Sequence, residues 1–237
     1  FEKGLFYYGV VEGIDSSTVS LSITNKEVNG IISSPSTGDI VIGKVPSSRT
    51  DYLIYDPSQF ELPSFECSVS DTVLKEIKKN ITKQVKELVI NPDVAQLVNG
   101  VVTIDFELSY EAYIKYGSVA GVNNFITSLF APVKVLFQND GINVAMQSIY
   151  VWTTDDGYND NAATALVELA GRRKNDSNFK GNLIQLVRPK SGGALSGIAY
   201  VGGLCTDYRF SYSEPMFTYA AYPAYSWSAN VIVHELG

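Results

Sequence analysis

From Val101 onward the apolar residues switch between strand-like runs and helical spacing in a set order, and that order constrains the fold more than any other feature of the chain. Residues 101–107 read as a strand. Over 119–137, Val122, Phe125, Ile126, Leu129, Val133, Leu136 and Phe137 recur at three- and four-residue steps and predict a helix, which Pro132 should kink or break. Residues 143–152 predict a long strand, Ala162–Arg173 a second helix, and 182–187 a third strand after the turn Asn175-Asp176-Ser177. A glycine-rich stretch leads into Gly197-Ile198-Ala199-Tyr200-Val201-Gly202, a tyrosine-rich loop runs to Ser226, and the last ten or so residues begin a helix near Trp227, with Ser226 or Ser228 placed to cap it. Strand and helix in alternation imply an α/β or α+β unit with a mostly parallel twisted sheet under covering helices.

The chain before this unit has a different texture. Residues 1–66 hold short β-type runs, namely Gly9-Val10-Val11, Thr18–Ile23, Gly30-Ile31-Ile32, 39–43 and 51–55, divided by turn clusters such as Ser33-Ser34-Pro35-Ser36-Thr37-Gly38. They predict a β-rich domain. In Thr18–Ile23 the alternation of Val19, Leu21 and Ile23 predicts that these three face a core and that Ser20 and Ser22 face outward. Residues 67–100 form a linker and connecting helix, the helix spanning 71–88 with Val73, Leu74, Ile77, Ile81, Val85 and Leu88 along one stripe. The third domain is 101–237.

Composition narrows the partners. With 45% hydrophobic residues in 237 and a net charge of -7 without any Lys/Arg run, the chain has material for a sizeable core and no electrostatic footprint for nucleic acid. No apolar stretch is read as long enough to span a membrane. The cysteines, Cys67 and Cys205, are too few for a disulfide framework or a four-cysteine zinc site, and Asn80-Ile-Thr82 and Asn175-Asp-Ser177 would permit glycosylation on export. The loop 155–161 is rich in oxygen ligands but lacks EF-hand spacing, so it reads as a polar βα loop; Arg172-Arg173-Lys174 reads as a helix-end dipole complement.

His234 is the one histidine. It follows Val231-Ile232-Val233 and precedes Glu235-Leu236-Gly237. By itself this reads as a surface-helix histidine beside a solvated glutamate, with Gly237 as a cap. The same pair also opens H-E-x-x-H, in which two histidines one helical turn apart hold zinc and the glutamate serves as general base. The strand and helix order, with Gly197-Ile198-Ala199-Tyr200-Val201-Gly202-Gly203-Leu204-Cys205 ahead of Val233-His234-Glu235-Leu236-Gly237, resembles the upper subdomain of the metzincin zinc endopeptidases, in their reprolysin or adamalysin-like branch.

That resemblance implies a function and a set of roles. His234 would be the first ligand of one Zn2+ ion, Glu235 the general base, and the backbone of Ile198, Ala199 and Tyr200 an edge that binds a protein or peptide substrate by strand addition. It implies a secreted zymogen, its signal peptide removed, inhibited by its own β-rich propeptide and stopping within the zinc motif. Cys67 would be the zymogen cysteine on the zinc, and Cys205 would pair with a cysteine outside this chain. The residues themselves equally allow Cys67 to be an exposed thiol or a partner of Cys205. Such a chain, with one histidine, is expected neither to hold zinc nor to hydrolyse peptides. Two other readings share the residues: a gluzincin-type protease with a distant glutamate ligand, and a non-catalytic secreted peptide-binding or adhesion module.

Overall fold

The structure is a computed structural model describing residues 4–24, 27–60, 66–67, 100–191, 196–204, 206–217 and 224–237, with the backbone alone at Glu66, Cys67, Ser196, Ala224 and Tyr225. The helix expected over 71–88, the sequon at Asn80 and Cys205 lie outside the described residues.

Strands β1 (Leu5–Gly9), β2 (Thr18–Ile23), β3 (Val28–Ser34), β4 (Gly38–Lys44) and β5 (Tyr52–Tyr55) form an antiparallel meander in chain order. The β3–β4 turn closes because Gly38 takes a left-handed φ of 66° and the Ser34 hydroxyl accepts the Thr37 N–H. Strand β1 ends at Gly9, where a strand was expected to begin, because the Val11 N–H turns away to the Ser17 hydroxyl at 2.8 Å.

Strand β2 has the expected alternation with its faces exchanged. Ser20 and Ser22 are buried, as are Asn29 and Ser33 on β3, whereas Val19, Leu21 and Ile23 are half-buried on the outer face. The serine face meets the helix over 119–139 (below). Small side chains let that helix approach the sheet, and Asn139 at its end accepts from Thr18 Oγ1 at 2.8 Å and donates to Ser33 Oγ at 2.5 Å. Strand alternation separates two faces but does not say which of them another element covers.

The second sheet runs β6 (Glu66–Cys67), β10 (Ser196–Ala199), β11 (Phe210–Ser213), β9 (Leu183–Val187), β7 (Val101–Leu108), β8 (Asn143–Val151), all neighbours parallel except β10 and β11. Its helices are α1 (Tyr110–Tyr116), α2 (Val119–Asn139), α3 (Ala162–Arg173) and α4 (Ala224–Leu236). Helices α2 and α4 cover the face bearing Phe106 and Leu108, and α3 packs the face bearing Leu186 and Tyr212. The fold is α+β, with two sheets and four helices among the described residues.

Helix α2 corrects two expectations. It continues unbroken through Pro132, because Leu129, Phe130, Ala131 and Val133 around the proline are all buried and their packing outweighs one lost backbone hydrogen bond. It is also a stretch of 21 residues apolar enough by composition to span a membrane. Its place between the two sheets accounts for that apolarity.

Candidate active site

Helix α4 starts at Ala224, ahead of the expected Trp227, so Ser226 and Ser228 lie within it and do not cap it. Ser228 instead accepts the Met216 N–H at 3.1 Å, and Ser226 lies 3.4 Å from the Tyr55 hydroxyl, tying the helix to the loop after β11 and to the first sheet. Val231 and Ile232 are buried, which rotates His234 to the exposed side and Glu235 inward.

Glu235 is 4% exposed, and its Oε1 has no hydrogen-bond partner. Burial pushes its carboxyl up to about 8. It lies against Gly197 of β10, where a methyl group would stand 2.6 Å from its Cγ and Cδ. His234 and Glu235 border a cavity of about 290 Å³, with Phe137 and Leu183 among its apolar wall residues and 199–204 along another side.

The predicted edge is shorter than expected. Strand β10 ends at Ala199, and Val201-Gly202 form a turn. Ile198 is buried in the core against α3, so its side chain faces away from the cavity; Ala199 and Tyr200 border the cavity, and the Tyr200 ring meets Tyr208 edge-on at 5.3 Å. Outside β10 lies β6, parallel, with Cys67 in register with Gly197 and Glu66 with Ser196. Among the described residues, β6 reaches no further along the edge.

Other candidate chemistry resolves into structural anchors. Asp156 accepts the Tyr110 and Tyr158 N–H groups, which fixes the loop 155–161 between β8 and α3. Arg172 and Arg173 lie in the last turn of α3 as expected, but Arg173 has a further partner: its Nε donates to Glu107 at 2.7 Å, and it lies over the rings of Tyr150 and Phe179. Trp152 and Tyr158 donate to the same buried carboxylate. Among the described residues, no three His, Cys, Asp or Glu side chains gather to hold a metal. The residues present fit part of a zinc site: an exposed imidazole and, next to it on the helix, a buried carboxylate oxygen without a partner.

The contact between Glu235 and Gly197 is the feature the sequence reading missed. The available signal was a glycine inside a strand, which marks close approach of another group.

A family model described as metallo-peptidase family M12 (Reprolysin_5) matches residues 99–237. The crystal structure of metalloproteinase-II from Bacteroides fragilis is similar at 11% identity and a TM-score of 0.43, over 95% of this chain and 68% of that one. A structure of a chaperone-substrate complex is similar at 10% identity and a TM-score of 0.38, over 92% of this chain and 30% of that one. Likeness at this level adds nothing to the fold or the function. No curated protein matches the chain.

Proposed function

This chain belongs to metallo-peptidase family M12, and on that premise we propose that it carries the general base and the first zinc ligand of a secreted metzincin-like endopeptidase in zymogen form. The observation that carries the reading is the Glu235 carboxylate, buried, without a hydrogen-bond partner at Oε1, and beside His234 at the mouth of a cavity.

Zinc, when bound, activates water and polarises the scissile carbonyl. His234 is one ligand; this is the only histidine in the chain, so the remaining histidine ligands come from outside it. Glu235 accepts the proton of the attacking water and returns it to the leaving amine. Burial next to His234 holds the Glu235 side chain in place, and its unpartnered Oε1 is the atom that can accept the proton. The backbone of Ile198, Ala199 and Tyr200 orients an extended peptide along β10.

In the zymogen, the β-rich domain 1–66 is the propeptide, and Cys67 is the thiolate that occupies the zinc. The register of Cys67 with Gly197 supports this, since it sets the cysteine's backbone beside the strand position that Glu235 packs against. The chain by itself, with one histidine, neither retains zinc nor cleaves peptides.

The test is zinc content in the protease that carries this chain together with its remaining ligands. His234→Ala should lower tightly held zinc well below one ion per molecule after dialysis and abolish hydrolysis; full zinc retention in that variant would refute the assignment of His234.

A further inference from the structure

We infer that Gly197 is a positioning residue for Glu235, and that its lack of a side chain sets where the carboxylate stands relative to the edge strand. The inference rests on the reading of Glu235 as general base.

Glycine at 197 is not required by the backbone. It lies within strand β10, paired to Ser213 on one side and to Cys67 on the other, and is not among the glycines with positive φ. An alanine would suit an extended strand better than glycine does. Space is what excludes it. A β-carbon at this position would lie 2.6 Å from Cγ and Cδ of Glu235, and closer still to Oε1, where carbon atoms at rest stand about 3.5–4.0 Å apart. The helix itself has little freedom to yield, because Val231 and Ile232 are buried in the core, so the displacement falls on the Glu235 side chain, which can move only toward the cavity it borders. Any side chain at 197 therefore pushes the carboxylate by about 1 Å or more, or lifts α4 from the sheet. The sheet floor under α4 is small throughout this contact: Gly197 and Ala199 on β10, Ser211 and Ser213 on β11. The same residue thus joins the edge along which a peptide strand would add to the group that would act on its scissile bond.

Two measurements test this. The first uses the chain as it is, in a double-mutant cycle read by thermal unfolding. Gly197→Ala should lower Tm by about 5 °C or more with Glu235 present, and by at most a degree or two in an Glu235→Ala background. Equal losses in both backgrounds would overturn the inference, since they would place the demand for glycine elsewhere.

The second uses the protease with its full ligand set. Gly197→Ala should keep one zinc per molecule and a KM within about threefold of wild type, while kcat falls by about 10- to 100-fold, the effect expected of a reacting group displaced by about 1 Å. A loss carried by KM with kcat unchanged would mean that Gly197 serves only the substrate edge, and would overturn the inference. Glu235→Gln run in parallel separates the two readings. If that variant keeps wild-type kcat, the general-base reading and this inference fall together; if it is inactive and Gly197→Ala keeps wild-type kcat, this inference falls alone.

Discussion

Cys67 stands opposite Gly197 in a two-residue parallel ladder at the rim of the second sheet. A chain segment on this edge occupies the place where an added peptide strand would pair, whatever the fate of the thiol. If the thiolate also holds the zinc, Cys67→Ser in the unprocessed protease should give peptide hydrolysis without removal of residues 1–66, measured with a quenched fluorescent peptide. Unchanged latency in that variant would assign inhibition to strand pairing alone.

The burial of Glu235 has a signature in pH. Its carboxyl, ordinarily at 4.5, is raised to about 8 in the folded chain, so the folded state binds more protons than the unfolded state between those values. Its contribution to stability is fully present below about 4.5 and is lost as pH rises through about 8. With chelator present, the Tm of Glu235→Gln minus that of wild type should therefore grow from pH 5 to about pH 8 and then level off. A difference that does not change with pH would contradict the burial.

Glu107 has no exposed side-chain surface and is balanced by Arg173, itself 12% exposed. Removing the cation strands a charge in the core. Arg173→Ala should cost about 3–5 kcal/mol by chemical denaturation, and Arg173→Lys should recover part of that, because a lysine lacks the fork that meets Glu107 through both Nε and Nη2. A loss below about 1 kcal/mol for Arg173→Ala would show that the pair is solvated.

Much of the strand and helix order was legible because Val, Ile and Leu carry its period directly: Thr18–Ile23 and Ala162–Arg173 form with the expected bounds, whereas α1 was not expected and β11 lies in the stretch read as a tyrosine-rich loop. Of the candidate site, the local motif gives only that His234 and Glu235 adjoin on one helix; that Glu235 turns inward and His234 outward is set by the packing of Val231 and Ile232. What escaped the sequence depends on which distant element arrives. Ser20 and Ser22 are inside because α2 covers that face, Pro132 is tolerated because two sheets hold its helix, and Arg173 is drawn in to half-burial because buried Glu107 accepts from it. The contact of Gly197 with Glu235 is of the same kind, formed between a strand and a helix with no local pattern linking them.

The most direct test of the central claim is Glu235→Gln in the protease bearing this chain and its complete zinc ligands. Zinc by elemental analysis should remain at one ion per molecule, while kcat/KM for a peptide substrate falls by at least about 100-fold, as expected for loss of a general base. Hydrolysis at the wild-type rate with zinc retained would contradict the account.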